Sequence, residues 1–329
     1  MKNILITGAA GYLGCMLIDA IFNPDKEDIN TPYSVEGVNV IAVDNLHYQQ
    51  TVLSNYFRKK NFEFINADVR DHDKMKPLYT WADIIIPLAC IVGMPACNKN
   101  RTAALDINQK AIEHLAAISK DDQVIIFPTT NSGYGLGEIE NNKLVYCDEN
   151  TPLNPISLYG ETKVNAEKAL LKRGNAVCLR LATVFGASAR MRLDLLVNDF
   201  VYRAFTDRFI VLFESHFKRN YIHVRDVTRT IIFSINNFTE MKGETFNVGL
   251  SNANISKMEL CQHIKKFVPD FFISQSEINS DPDKRNYIVS NEKLESLGWN
   301  PRYFLDEGIQ ELLGYYNIIA SNNMQFTNL

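Results

Sequence analysis

The sequence lacks the features that mark several large classes of protein. No apolar run approaches the roughly 18 residues that a membrane-spanning helix needs, and no signal-peptide pattern precedes the first predicted strand. The net charge is −4 and the basic residues are dispersed, so there is no basic patch for nucleic acid or an anionic membrane. These absences predict a cytoplasmic protein that binds neither nucleic acid nor membranes.

Cysteine and histidine are sparse and scattered. The chain has six of each, without a CxxC pair, and the cysteines lie mostly in apolar segments. This pattern predicts reduced core thiols rather than a disulfide framework or a zinc site, and no metal centre is expected. We find no internal repeat or low-complexity linker, and only the last ten residues look disordered.

The chain does contain a glycine-rich turn near its start. Three glycines spaced three residues apart follow an apolar strand at residues 4–7 and precede a helical pattern at residues 15–22. Such glycines allow a tight turn, let backbone N–H groups approach a pyrophosphate and let helix and strand pack closely. A hairpin turn with chance glycines is the alternative. The residues expected to hold a dinucleotide here are Gly8, Ala10, Gly11, Tyr12, Leu13 and Gly14.

An acidic residue ends the next predicted strand, residues 38–43. Asp44 is placed to accept hydrogen bonds from the adenosine ribose, and its charge would repel the extra phosphate of NADP, so the predicted cofactor is NAD. An ordinary turn carboxylate is the alternative. The separation between Gly14 and Asp44 exceeds the usual span of about 20 residues. We interpret the polar segment 23–37 as an inserted loop.

Further apolar strands are predicted at residues 62–69, 81–89, 123–127 and 177–185, with helices at 103–119 and from 158 onward. Strands that are almost continuously apolar are buried on both faces, which is typical of a parallel sheet covered by helices. The predicted fold is therefore α/β, a Rossmann-type doubly wound parallel sheet. Its ligands should lie at the carboxyl ends of the strands, and the cofactor residues expected there are Asn45, Asp68, Val69, Leu88 and Ala89.

The pattern changes after residue 186. A helix is predicted at 193–205, short strands at 209–213 and 245–248, and a segment at 221–227 that leads into another helix. We expect an NAD-binding domain at residues 1–186, to which later strands from about 219–250 return. Residues 187–329 would form a smaller C-terminal α/β substrate lobe.

Three polar residues lie at the ends of predicted strands and helices and form a candidate catalytic set. Tyr159 and Lys163 lie four residues apart at the start of a helix, so both side chains point from one face. A lysine ammonium beside a phenol favours the phenolate, which makes Tyr159 a candidate general base. Thr130, at the end of a core strand, can hold the same substrate hydroxyl. A tyrosine and a lysine at this spacing also occur by chance in many proteins.

With these motifs in order, the chain resembles an extended short-chain dehydrogenase/reductase of the nucleotide-sugar epimerase and dehydratase type. The segment 219–224 followed by Asp226 belongs to the same resemblance. Two departures are visible: Pro87-Leu88-Ala89-Cys90 replaces a His-Leu-Ala-Ala pattern, and Ser280-Asp281-Pro282-Asp283 replaces an Arg-x-Gly-Asp clamp. The residues that the resemblance places near the substrate are Asn131, Ser132, Thr183, Arg190, Arg192, Asn198, Arg219 and Asp283.

The resemblance also implies an oligomeric state and a narrower group of enzymes. The helix with Tyr159 pairs with its mate across a two-fold axis in similar enzymes, and residues 164, 166, 170 and 171 give it an apolar face, so a homodimer or higher even oligomer is expected. Segments 131–135, 180–186 and 190–196 look like the bacterial enzymes that modify GDP-heptose for capsular polysaccharide. This implies a GDP-linked sugar as substrate and oxidation of its 4-hydroxyl.

Several reactions begin with that oxidation. The similar 4,6-dehydratases have Asp-Glu directly after the threonine, where this chain has Asn131 and Ser132, and neither side chain can replace a carboxylic acid or carboxylate. Similar 3,5-epimerases have a cysteine at the place of Ser132. Net oxidation and 4-epimerisation remain open, and a non-catalytic NAD-binding regulator would not need the three catalytic residues. Cys90 is interpreted as a packing residue.

Overall fold

The apolar segments predicted as strands form a seven-stranded parallel sheet. The computed structural model describes residues 1–140, 143–276 and 285–318. Strands are numbered along the chain. From one edge to the other, the sheet consists of β12 (Thr245–Val248), β8 (Ala176–Leu181), β5 (Val124–Thr130), β4 (Ile84–Pro87), β1 (Lys2–Thr7), β2 (Val38–Asp44) and β3 (Phe62–Asn66).

Successive residues of β1 face opposite sides of the sheet. Ile4 and Ile6 belong to a core cluster with Leu17, whereas Leu5 belongs to a second cluster with Leu115 on the other side. Burial on both faces explains why the strands read as continuous apolar runs. The predicted doubly wound parallel α/β sheet is confirmed. The order reverses beside β1, whose neighbours are β4 and β2, and a ligand is expected at this switch point.

Helices cover both faces of the sheet. On one face, two helices pack with β1. They are α1 (Tyr12–Phe22), which follows the glycine turn, and α8 (Val224–Asn236), from the second half of the chain. The helices are α1 (Tyr12–Phe22), α2 (His72–Trp81), α3 (Met94–Lys99), α4 (Arg101–Leu105), α5 (Ala111–Ile118), α6 (Leu158–Leu171), α7 (Leu196–Thr206), α8 (Val224–Asn236), α9 (Phe238–Met241), α10 (Lys257–Phe267), α11 (Glu292–Glu295) and α12 (Leu305–Tyr316). Within the described ranges, no helix is long and apolar enough to cross a membrane.

Three smaller sheets extend beyond the main one. β11 (Lys218–His223) lies between β9 (Thr183–Phe185) and β13 (Asn254–Ser256). The other two sheets pair β10 (Phe209–Phe213) with β14 (Phe272–Ser276), and β7 (Lys143–Cys147) with both β6 (Glu138–Glu140) and β15 (Ile288–Val289). Of the strands between residues 219 and 250 that were expected to return to the first domain, β12 therefore joins the main sheet and β11 does not.

Several predicted boundaries are wrong for local reasons. The strand expected at 177–185 is two strands, because the chain changes partners at Ala182, from β12 to β11. The strand expected at 62–69 ends at Asn66, and Asp68 lies in the following turn. The helix expected at 103–119 contains a wide π-helical turn, Asp106–Lys110, between α4 and α5. The expected disorder of the last ten residues falls outside the described residues.

The apolar face proposed for dimerisation is used inside the chain. Val164, Ala166 and Leu170 are buried, and the last two belong to the core beneath the sheet. The exposed positions of α6 include the polar residues Glu161 and Lys168. The argument for a dimer from that apolar face is therefore wrong, because the face already covers the chain's own core.

Candidate active site

The glycine turn lies between β1 and α1, and close packing requires its glycines. Gly8 has a positive φ of 66°, and a Cβ there would lie 2.6 Å from the backbone nitrogen of Ala89. A Cβ on Gly14 would lie 2.5 Å from the carbonyl oxygen of Gly8. Such distances exclude any side chain at these positions. The turn therefore packs against the backbone of Leu88 and Ala89, the residues directly after β4.

A cavity of about 1170 Å³ opens at the carboxyl ends of the strands. Its size exceeds the roughly 300–1,000 Å³ of a typical small-ligand pocket, so it has room for a dinucleotide and a second ligand. Most of the residues predicted from the sequence line it: Gly8, Gly11, Tyr12, Leu13, Gly14, Asp44, Asn45, Asp68, Val69, Leu88, Ala89, Thr130, Ser132, Tyr159, Lys163, Thr183, Arg190 and Arg192.

Asp44 ends β2 beside the glycine turn. Its carboxylate accepts hydrogen bonds from the backbone N–H groups of Ala10, at 3.0 Å, and Leu46, at 2.8 Å. Burial raises the pKa of Asp44, whereas these two backbone hydrogen bonds and the charge of Arg190 lower it. The carboxylate thus ties the turn to the strand and still borders the cavity. This position fits a group that accepts from ribose hydroxyls.

Asp68 lies where the sequence predicts contact with adenine. Both of its carboxylate oxygens accept from the guanidinium of Arg70, each at 2.8 Å, and Asn45 donates to one of them at 2.9 Å. The hydrogen bonds from Arg70 hold the pKa of Asp68 well below its usual value. Asn45 and Asp68 are thereby joined at the far end of the cavity.

The structure brings the three predicted catalytic residues to one wall of the cavity. Thr130 ends β5, and Tyr159 and Lys163 lie in the first turns of α6. Ser157 begins this helix by accepting from the N–H of Gly160 at 3.2 Å. The ammonium of Lys163 donates to the carbonyl oxygen of Pro128 at 2.6 Å, which fixes α6 to β5.

Burial has the largest effect on the pKa values of Tyr159 and Lys163. It raises the pKa of the Tyr159 phenol, as the neighbouring thiols of Cys90 and Cys97 also do, while Arg285 and Arg192 lower it. Burial also lowers the pKa of Lys163. Two cationic side chains therefore oppose the effect of burial on the phenol.

Ser132 connects Thr130 to an arginine that the sequence analysis missed. The Thr130 hydroxyl donates to Ser132 Oγ at 2.9 Å, and the Ser132 N–H donates back to Thr130 Oγ1 at 3.1 Å. Arg285 also donates to Ser132 Oγ. Arg285 and Tyr287 both line the cavity. Arg285 lies two positions after the segment 280–283, which was compared with the Arg-x-Gly-Asp clamp. A basic residue shifted from the clamp position was the signal from which the sequence could have indicated it.

The loop between β9 and α7 carries two further arginines to the cavity. Arg192 is paired through its guanidinium with both carboxylate oxygens of Asp194. Asn198 is fully buried behind the loop, where it accepts from the N–H of Gly186 at 3.1 Å and donates to the carbonyl of Arg192 at 2.9 Å. Asn198 thus positions the loop and does not line the cavity.

Three other predicted residues that the structure describes do not contribute to the lining. Ala10 is buried, and its N–H is bonded to Asp44. Asn131 is fully buried beneath the wall. Arg219 lies behind Tyr287, with its guanidinium carbon 5.6 Å from that ring's centroid, and it donates to the carbonyl of Lys218. Asp283 falls outside the described residues.

Comparison with known proteins agrees with this geometry. Residues 4–249 match the model of the NAD dependent epimerase/dehydratase family. The UDP-glucuronic acid decarboxylase 1 of Danio rerio is 26% identical over 96% of this chain and 73% of its own length. A putative UDP-glucose 4-epimerase of Methanocaldococcus jannaschii is 25% identical over 97% and 99%.

Solved structures share the fold at lower identity. The UDP-glucuronic acid 4-epimerase of Bacillus cereus, in complex with UDP-glucuronic acid and NAD, is 20% identical with a TM-score of 0.80 over 96% of this chain and 99% of its own. The dTDP-glucose 4,6-dehydratase of Bacillus anthracis, in complex with NAD, is also 20% identical, with a TM-score of 0.79 over 99% of both chains. On the family match, this chain belongs to the NAD dependent epimerase/dehydratase family, and its cofactor is NAD.

Proposed function

We propose that the protein oxidises the 4-hydroxyl of a nucleotide-linked sugar to a 4-keto sugar, with GDP-D-glycero-α-D-manno-heptose as the substrate. The chain would then be a GDP-D-glycero-α-D-manno-heptose 4-dehydrogenase of capsular polysaccharide biosynthesis. The observation that carries the reaction type is the common wall formed by Thr130, Tyr159 and Lys163 beside the glycine turn. The sugar and the nucleotide base rest on the resemblance of segments 131–135, 180–186 and 190–196.

In this proposal each residue of the wall has a separate task. Thr130 and Ser132 hold the substrate hydroxyl, and the phenolate form of Tyr159 takes its proton as carbon 4 of the sugar gives up a hydride. NAD, when bound, would be the acceptor of the hydride. Lys163 holds α6 against β5 through Pro128 and faces the same cavity, so it orients the phenol and the cofactor. A phenol with a raised pKa needs positive charge nearby to act as a base, and Arg285 and Arg192 contribute such charge.

Dehydration is disfavoured because the wall lacks a carboxylate at the two positions after Thr130. Asn131 is buried away from the cavity, and Ser132 is engaged with Thr130 and Arg285. A 4-epimerase would use the same three catalytic residues and differ only in returning the hydride to the other face. The relatives at 25–26% identity include a putative 4-epimerase, so this activity is the second candidate.

Substrate-contacting roles follow for the remaining cavity residues. Thr183 and Arg192 line the same cavity and would contact the sugar nucleotide. Residues 187–329 would contribute most of this surface as a substrate lobe. A homodimer or higher even oligomer remains part of the proposal on the resemblance alone.

Mass spectrometry of the products tests this proposal. The enzyme is incubated with GDP-, UDP- and dTDP-linked sugars, including GDP-D-glycero-α-D-manno-heptose, in deuterium oxide with and without added NAD. The proposal expects a product two mass units lighter than the substrate, or its hydrate, with one NADH formed for each product. A product that separates from the substrate on chromatography but has the same mass would establish epimerisation, and loss of water with deuterium at carbon 5 would establish dehydration. Turnover of UDP-sugars alone would overturn the GDP assignment.

A further inference from the structure

The wall that carries the three catalytic residues is built from two separate elements. Thr130 ends β5 directly before the short helical turn 131–134, whereas Tyr159 belongs to α6. The turn packs closely against this helix, because a Cβ on Gly133 would lie 3.1 Å from Cγ2 of Val164. A side chain that fixes the turn to the helix therefore also fixes the distance between the threonine hydroxyl and the phenol.

Arg180 makes this connection. It lies in β8, where its backbone is paired with Thr129, the residue before the catalytic threonine. Its guanidinium donates to the carboxylate of Glu167 in α6, with Nη2 2.6 Å from Oε1 and Nε 3.1 Å and 3.3 Å from the two oxygens. Nη1 donates to the hydroxyl of Tyr134 in the turn at 2.9 Å, and to the backbone carbonyl of Glu149 at 3.2 Å. One side chain thus joins the helix, the turn and the loop beyond it.

The contacts of Arg180 are enclosed by protein. Arg180, Glu167 and Tyr134 are only 5%, 2% and 3% exposed. In the part of the chain that the structure describes, none of these three residues borders the cavity. Burial alone would lower the pKa of Arg180, but its contacts with Glu167 and Tyr134 outweigh burial and raise that pKa. The guanidinium is therefore charged, and it acts on the site only through the residues that it holds.

Stability alone does not account for a buried ion pair at this place. Removing two charges from water costs free energy, and apolar side chains of similar volume often stabilise a fold equally well. A guanidinium and a carboxylate in two-point contact do provide a fixed geometry, because the donors of arginine form a rigid planar fork. The third donor of Arg180, on Tyr134, extends this geometry to the turn that follows Thr130.

We propose that Arg180 is a positioning residue of the catalytic wall, which sets the separation of Tyr159 from Thr130 through Glu167 and Tyr134. The inference rests on the proposed chemistry at carbon 4. It does not depend on the sugar or the nucleotide, because net oxidation and 4-epimerisation both need the phenol and the threonine at the same substrate hydroxyl. Arg180 itself contacts neither the substrate nor NAD in this proposal.

Steady-state kinetics of Arg180→Lys test the assignment, with whichever sugar nucleotide of the panel the wild type turns over. Lysine keeps the charge but cannot reproduce the guanidinium fork. Because a catalytic group displaced by about 1 Å can lose a hundredfold in rate, kcat is expected to fall by about ten- to a hundredfold. KM and the NAD dissociation constant are expected to stay within about threefold, since no binding contact is removed.

Arg173→Lys is the matched control. Arg173 also fastens α6, but at the end far from the phenol, where it donates to the carbonyls of Ala116 and Ser119 at 3.0 Å and 2.6 Å. This variant is expected to keep kcat within about twofold of the wild type. Thermal unfolding of each variant identifies any loss of the fold.

A double variant and crystal structures separate positioning from folding. Arg180→Met combined with Glu167→Leu replaces the buried pair by apolar side chains, a change that is often neutral for stability. The double variant is expected to fold and to show the same loss of kcat. Crystal structures of the wild type and the double variant with NAD measure the separation of the Tyr159 and Thr130 side-chain oxygens without any turnover. This separation is expected to change by about 1 Å or more.

The proposal is overturned if a folded Arg180 variant keeps kcat within about twofold, or if the separation of the two oxygens is unchanged. A loss that lies mainly in KM, or an equal loss of kcat in Arg173→Lys, would overturn it as well. A wild type that turns over no sugar nucleotide would contradict the proposed function instead, and the crystal structures would then decide the positioning role by themselves.

Discussion

The ammonium of Lys163 donates to the carbonyl oxygen of Pro128 at 2.6 Å and lies 3.9 Å from the centroid of the Phe127 ring. The sequence suggested that this lysine lowers the pKa of Tyr159 directly. In the structure, the positive charges with the largest lowering effect on that pKa belong to Arg285 and Arg192. Lys163 therefore fixes the helix that carries the phenol, and two arginines from distant parts of the chain provide the compensating charge.

The first prediction is that Tyr159→Phe removes turnover while leaving NAD binding within a few fold. In the proposed triad, the general base that takes the proton of the substrate hydroxyl is the phenolate of Tyr159. Loss of general base catalysis is expected to lower kcat by about 10²- to 10⁴-fold. Stopped-flow measurement of NADH formation gives kcat, and calorimetry gives the NAD dissociation constant. Turnover near the wild-type value would exclude Tyr159 from the mechanism.

The second prediction concerns the contact between Arg285 and Ser132. An arginine is a donor only, so Ser132 Oγ accepts from it, and it accepts from the Thr130 hydroxyl as well. The hydroxyl proton of Ser132 is then left to donate toward the cavity, where a developing ketone oxygen would accept it. Ser132→Ala and Arg285→Gln are each expected to lower kcat by about tenfold or more.

A double-mutant cycle distinguishes this role from direct substrate binding by Arg285. If the arginine acts through Ser132, the double variant is expected to be about as slow as Ser132→Ala alone. An arginine that binds the diphosphate directly would instead raise KM, and the two effects would multiply. Ser132→Thr retains the hydroxyl and serves as the conservative control.

The fold, the glycine turn and the identity of the cofactor could be predicted from the sequence because their signals are local. Continuous apolar strands, glycines at fixed spacing and Asp44 after β2 each constrain the chain within a few residues. The class of sheet and the glycine turn were therefore predicted correctly. The position of Thr130 at the end of β5 followed from the same reasoning.

The remaining site depends on contacts between distant segments. Arg285 reaches Ser132 across 153 residues, and no periodic pattern marks either residue. Asn198 was predicted to touch substrate, but it supports the arginine loop from behind, because its amide satisfies buried backbone groups there. The polar residues of the second half of the chain could be identified from the sequence. The side of a loop on which each one lies could not.

The third prediction is that Asp44 sets cofactor choice. Asp44→Ala removes a negative charge and the acceptor for the Ala10 and Leu46 N–H groups. NAD binding is expected to weaken by about tenfold or more, and the preference for NAD over NADP is expected to decrease. Dissociation constants for both dinucleotides measure this, with Asp44→Asn as the control that keeps an acceptor oxygen. A wild-type preference for NADP would contradict the role given to Asp44.

The fourth prediction concerns pH and the stacked histidines of α2 and α5. The rings of His72 and His114 are parallel within 5° at a centroid distance of 3.7 Å. Burial lowers the pKa of His114, and the charges of His72 and Lys76 lower it further. The unfolded chain, where a histidine pKa is about 6.5, therefore binds this proton more readily. The contribution to stability is intact above that pKa and is lost as the pH falls toward the lower folded value.

Thermal unfolding of His114→Gln tests this. The melting temperature of the wild type is expected to fall more than that of the variant between pH 7.5 and 5.5, the two values on either side of about 6.5. His216→Gln changes an exposed histidine elsewhere and should parallel the wild type. Parallel curves for the wild type and His114→Gln would show that this pair does not contribute to acid sensitivity.

The last prediction is that carboxylates installed after Thr130 do not create a dehydratase. Asn131 is fully buried and does not line the cavity, so Asn131→Asp would bury a charge and destabilise the fold instead of reaching a substrate. A glutamate at position 132 would lie beside Arg285 and pair with it, which holds the carboxylate ionised and away from a leaving hydroxyl. A catalytic group displaced by about 1 Å can lose a hundredfold in rate. The double variant is therefore expected to show a lower melting temperature and no product lighter by one water in the deuterium experiment, whereas elimination at a rate near the oxidation rate would show that the wall needs only the carboxylates.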